Sequence, residues 1–180
     1  MGFIRNKITM VKRIRIRKGD LFEVKLESDA VVYFQYLLLD PCQLNSEVIR
    51  VFNYRGLTDE SFDYNMVFSS GVNFYAHVII QFGLKMDLWR RIGNYQLEYN
   101  FKPPLFRDTF GQDEEYDGNR IMYKKSNSWN IWQAGDDFES RRVIGYINNE
   151  FRTVDIGLVY PPREIIHRIE TGEYSDPYYT

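Results

Sequence analysis

The sequence predicts a mostly β (α+β) single domain: an antiparallel meander or barrel-like sheet with one or two short helices, one of them C-terminal. Three observations predict it. Short runs of β-branched and aromatic residues recur along the chain, Gly, Pro and Asp clusters separate them, and rings make up 17% of the 180 residues. At this length, with 44% hydrophobic residues, one core can form without staples.

Taken in order, Arg13, Ile14, Arg15, Ile16 and Arg17 alternate strictly, the period of a strand with one wet face. Lys18-Gly19-Asp20 reads as a turn, residues 21–26 as a short strand, and Glu27-Ser28-Asp29 as its end. Residues 30–39 form the next strand, which Asp40-Pro41 stops. Residues 47–52 suit a fourth strand or a helical turn. A short helix is expected within residues 57–69, with Thr58-Asp59-Glu60 as cap and first turn and Gly71 as its end. Residues 74–80 are apolar on both faces, as in a central strand. Residues 93–119 are polar, turn-rich and acidic, with Pro103-Pro104 against regular structure, and make the longest expected loop region. Residues 121–132, 142–147 and 153–160 read as late strands. Pro162 opens a helix over 163–170 that Gly172 closes. Residues 1–10 and 175–180 are expected as loose tails of a single domain spanning 1–180.

Net charge is only −2, so no overall field draws the chain to nucleic acid or anionic lipid. Its distribution is uneven: residues 1–20 carry +6 and residues 108–117 carry −5. One cysteine, Cys42, makes no intrachain disulfide, and with two histidines it cannot build an ordinary zinc site. No secretory signal or membrane-spanning run is visible, which points to a cytoplasmic protein.

Chemistry-bearing motifs are sparse. His77 and His167 are the only candidate histidine bases, and His77 is expected as a half-buried residue bonded to a neighbouring loop, with His167 at a helix end. There is no Gly-x-Ser-x-Gly elbow and no phosphate loop; no catalytic residue, cofactor or metal is assigned. Asp113, Glu114, Glu115 and Asp117, beside Tyr116, do not follow a calcium-loop spacing and read as a solvated loop or a surface for a basic partner, together with Asp136, Asp137 and Glu139. Trp129 and Trp132 are three apart and so lie on opposite faces of a strand; one is expected in the core and the other, taken as Trp132, as a ring for a partner. The basic strand Lys12 to Lys18 suits either a protected sheet edge or, as the alternative function, a nucleic-acid-binding β-barrel.

Five blocks in order carry a resemblance. They are Gly19-Asp20-Leu21-Phe22-Glu23-Val24, Phe74-Tyr75-Ala76-His77-Val78, Leu105-Phe106-Arg107-Asp108, Trp129-Asn130-Ile131-Trp132, and Tyr160-Pro161-Pro162 through His167-Arg168. With these the chain resembles the immunity protein 26 family of bacterial polymorphic toxin systems from about Arg15 to Tyr174. The resemblance implies a mostly β, cytoplasmic, non-catalytic protein that binds and neutralises a cognate toxin, such as a nuclease, in the producing cell. It casts Gly19, Asp20, Phe22, Phe74, Tyr75, His77, Trp129, Pro161 and His167 as scaffold. Membrane and nucleic-acid partners are not expected. The acidic insert 111–118 has no counterpart in the family pattern.

Overall fold

The computed structural model describes residues 15–58, 60–109, 113–117 and 120–175; in 113–117 and 120–125 it describes the backbone. The expected tails, 1–10 and 175–180, lie outside these residues except for Ser175. Two open sheets dominate, and neither closes into a barrel. The chain opens with β1 (Asp20–Lys25), β2 (Ala30–Asp40), β3 (Ser46–Phe52) and β4 (Gly56–Leu57). Next come α1 (Tyr64–Ser69), β5 (Val72–Val78), α2 (Ile80–Lys85) and β6 (Arg90–Asn94). Strands β7 (Leu105–Thr109), β8 (Asp113–Asp117), β9 (Arg120–Lys125), β10 (Trp129–Gln133) and β11 (Arg142–Gly145) follow. The chain ends with β12 (Asp155–Ile156), β13 (Val159–Tyr160) and α3 (Pro162–Thr171).

The central sheet runs β13-β5-β3-β2-β1-β6, with β4 on β2, and the second runs β11-β10-β7-β12. Among the described residues, strands β8 and β9 pair only with each other. All pairings are antiparallel except β13 with β5 and β12 with β7.

Strand β2 explains why apolar runs rather than alternation mark this sheet. Val32, Phe34 and Tyr36 point to one face, under Ile80 of α2 and Ile165 and Ile169 of α3. Val31 and Tyr33 point to the other, where Val67 and Phe68 of α1 pack, and Leu37 meets Phe106 and Trp132 of the second sheet. Covered on both sides, the strand has no wet face to encode. In α3 Pro162 occupies the first turn, Ile165 and Ile169 share the buried stripe, and Gly172 ends the helix at φ 89°.

Several expectations are corrected. Arg15, Ile16 and Arg17 belong to no strand, and Lys18 begins the turn before β1; residues 12–14 lie outside the described ones. The helix before Gly71 is capped by Asp63, whose side chain accepts from the Met66 amide, not by residues 58–60. Residues 93–119 hold β7 and β8 as well as the end of β6, because the proline pair stops at 104 and β7 starts at 105. The run 121–132 divides between two sheets, broken at 126–128. Helix α2 replaces the end of the strand expected to reach Ile80, since Gly83 gives room for Trp89: a Cβ there would stand 2.0 Å from the indole. The tryptophans do face opposite ways, yet both are buried, at 0% and 2%. The outer face of the second sheet is covered by the returning chain, where Arg107 Nε donates to the Val154 carbonyl and Arg142 lies over Phe151.

Candidate functional site

The densest polar arrangement in the described residues is built on Asp40, the last residue of β2. The chain turns there into a short 3-10 segment (Pro41–Gln43), and the Asp40 side chain caps it by accepting from the Cys42 amide at 3.0 Å. Its Oδ1 also faces the Gly135 amide at 3.4 Å, while Oδ2 accepts from His77 Nε2 at 2.8 Å and Trp132 Nε1 at 2.9 Å. One carboxylate thus joins the central sheet to the second sheet. Asp40 and His77 side chains are both 0% exposed, and Phe106 lies against the imidazole at 4.1 Å between centroids.

Burial alone would raise the Asp40 pKa; hydrogen bonds from His77 and Trp132, with the Cys42 amide, outweigh it and hold the carboxyl below its ordinary value. Burial lowers His77 below the usual imidazole value against the pull of Asp40, so the ring is neutral near pH 7. An ionised Asp40 can only accept, which places the His77 proton on Nε2 and leaves Nδ1 buried with no hydrogen-bond partner among the described residues. Burial also raises Cys42 and Asp108. The Cys42 thiol donates toward the Asp137 carbonyl at 3.0 Å and the Asp136 carbonyl at 3.4 Å. Arg141 closes the arrangement, with its guanidinium 4.1 Å over the Trp132 ring and an N–H donated to the Cys42 carbonyl at 2.6 Å.

A carboxylate orienting a histidine is half of a nucleophile-activating triad. Here the half is spent on holding two sheets together, and the nearby thiol keeps its proton. Among the described residues no group of three or more His, Cys, Asp and Glu is placed to hold a metal ion.

A second polar cluster lies on the same face of the central sheet. Arg50 of β3 donates from Nε and Nη2 to Gln35 Oε1 at 3.0 and 2.7 Å, and from Nη2 to Glu98 at 2.9 Å. Gln35 in turn donates to the Gly19 and Tyr95 carbonyls at 3.1 and 2.7 Å. Gly19 needs to be glycine: its φ is 87° and a Cβ would stand 2.5 Å from the Tyr95 carbonyl oxygen.

The residues cast as scaffold are placed as follows. Asp20, Phe22, Phe74 and Trp129 are interior; Tyr75 and His167 are half-buried, and exposed Pro161 precedes α3. His77 is fully enclosed and bonded to a carboxylate, not half-buried against a loop. Trp132 is inside as well and offers no ring to a partner. Asp113, Glu114, Glu115, Tyr116 and Asp117 form β8, in a register that sets Asp113 opposite Lys125, Glu114 opposite Lys124 and Asp117 opposite Arg120. Asp136, Asp137 and Glu139 stand exposed in the β10–β11 connection. The two acidic groups therefore sit on different elements. Neither Asp40 nor Arg50 was signalled as functional by the sequence, although Gln35 and Arg50 inside apolar runs are the pattern of buried polar groups.

Searches against family models, curated proteins and solved structures found no match to this chain. No helix among the described residues is long and apolar enough to cross a membrane.

Proposed function

We propose that the protein is a non-catalytic immunity protein that binds a cognate toxin and neutralises it in the cytoplasm of the producing cell. The observation that carries this reading is the enclosure of His77: the histidine in the middle of the second resembling block is sealed at 0% exposure on an equally sealed Asp40, where it serves the scaffold. The other blocks support it in the same way. Gly19 to Val24 begins the central sheet, Leu105 to Asp108 and Trp129 to Trp132 pair as β7 and β10, and the last block enters α3. Blocks that build the fold leave recognition to the exposed surface.

The test is co-expression with the toxin encoded by the neighbouring gene. Wild type and a folded His77→Gln variant should both protect the cell and co-purify with the toxin. Failure of the wild type to bind it, or turnover of a substrate lost in His77→Gln, overturns the reading.

A further inference from the structure

We infer that the junction between the two sheets is an acid-opened joint: protonation of His77 parts the second sheet from the central one at Asp40, while the central sheet keeps its fold. Asp40 and His77 belong to the central sheet. The second sheet and its β10–β11 connection supply the Trp132 Nε1, the Gly135 amide and the Phe106 ring that cover them. Closed in this way, the imidazole donates from Nε2 to Asp40, and its Nδ1 is buried without a partner among the described residues. A proton added at Nδ1 would be a donor with nothing to accept it. Opening brings water to that atom. The charged ring is therefore tolerated in the open arrangement and penalised in the closed one, so acid shifts the population toward the open one. Burial depresses His77 while the joint is closed, so closure loses stability as pH falls below the ring's ordinary value of about 6.5.

Charged groups reach the ring from three elements: Asp40 from β2, Asp108 from β7 and Arg141 from the end of the β10–β11 connection. Glu47 of β3 points to the opposite face, which leaves Val48 beside the ring. Cys42, in the turn after β2, and Tyr75, on β5 itself, are raised by burial and keep their protons. Asp108, also raised by burial, pulls the other way and favours closure as pH falls. The second sheet can move without unravelling the first. Its strands β7, β10, β11 and β12 come from one stretch of chain, entered after Pro104 and left at Gly157. The apolar cluster at the junction, with Leu37, Val48, Phe106 and Trp132, is separate from the two clusters under the helices. A unit of this kind opens by itself. At a second tie between the sheets Asp155 accepts from the Tyr75 amide at 2.8 Å and from Arg168 at 2.6 Å. No histidine takes part there, so this tie keeps the opened sheet attached.

Cys42, the single cysteine of the chain and 6% exposed at the junction, is a built-in reporter of opening. The measurement is its rate of reaction with 4,4′-dithiodipyridine, a reagent that works in mild acid, in the full native chain and in the urea-unfolded chain at the same pH. The ratio of the two rates is its protection. Between about pH 7.5 and about pH 5.5 protection should fall about tenfold in the wild type, the factor by which proton uptake at an ordinary imidazole favours the open arrangement. In His77→Gln, which keeps a donor to Asp40, it should change less than about twofold. Amide exchange in β1 and α3 should stay equally protected at both pH values, which separates an opened joint from global unfolding. Trp132→Phe removes one donor to Asp40 and keeps the test open if His77→Gln folds poorly. Its protection should be lower than that of the wild type at both pH values. Wild-type protection that does not change with pH overturns the inference. So does an equal fall in His77→Gln, a fall that β1 and α3 share, or a Trp132→Phe variant as well protected as the wild type.

Discussion

Asp40 and Arg50 lie on neighbouring strands of one sheet, and their side chains enter the same interior face by different physical routes. The Asp40 cluster is closed: carboxylate and imidazole are both 0% exposed, and the imidazole stays neutral, so a single negative charge is carried by four N–H groups. The Arg50 cluster is open. Its guanidinium cannot lose its proton, and its chain of bonds ends at Glu98, whose side chain is 50% exposed while that of Arg50 is 8% exposed. A carboxylate ringed by N–H donors keeps its charge in full enclosure, whereas the guanidinium is led back toward water. The first cluster should therefore be the rigid one and the second the forgiving one.

The most severe challenge to that contrast is Asp40→Ala. It leaves four donors facing a void where two sheets meet, and should cost about 3–5 kcal/mol in denaturant unfolding. A loss under about 1 kcal/mol would show that water enters the junction and that the cluster is not closed. Arg50→Lys comes next. One ammonium cannot reproduce the fork to Gln35 and Glu98, and about 1.5–3 kcal/mol should be lost.

The pH dependence separates the clusters further. His77 is depressed in the folded state, so the unfolded chain binds its proton first and stability falls as pH drops below the unfolded value of about 6.5. Asp40, also depressed, adds a loss of the same sign only near and below its ordinary carboxylate range. Asp108 and Glu47 are raised by burial and act oppositely, gaining stability as pH falls toward that range. Subtracting the curve of His77→Gln, which keeps a donor to Asp40, isolates the imidazole; below pH 6.5 the wild type should lose stability relative to the variant as pH falls. Parallel curves would mean that His77 takes up its proton in the fold as readily as in the unfolded chain. The smallest effect is expected for Glu98→Gln, below about 1 kcal/mol because solvent screens half of that side chain.

Much of the fold is legible in the sequence because its strands are local apolar runs with Gly, Asp or Pro at their ends: β1, β2, β5 and α3 each lie within a residue or two of their expected bounds. Pairing between distant parts is not legible. Asp40 reads as a strand stop before proline, and it is that, but His77 is 37 residues away and Trp132 is 92. The acidic segment reads as loop because only its pairing with the basic β9 makes it a strand. Helix α2 is hidden in the apolar run before it, since the room it needs depends on Trp89. Exposure of Trp132 was misjudged for a related reason: strand spacing gives the face and says nothing of what covers it.

The burial of all three indoles has an optical consequence. Trp89, Trp129 and Trp132 are 3%, 0% and 2% exposed, so the native fluorescence arises from rings that bulk water does not touch. Each reports a different layer. Trp89 donates to the Ile80 carbonyl beneath α2, Trp129 lies under Arg107 on the outer side of the second sheet, and Trp132 sits at the junction between sheets. A parting of the two sheets would strip Trp132 of its carboxylate while Trp89 kept its surroundings. Single-tryptophan variants would therefore let each layer be watched coming undone by itself, with no dye attached.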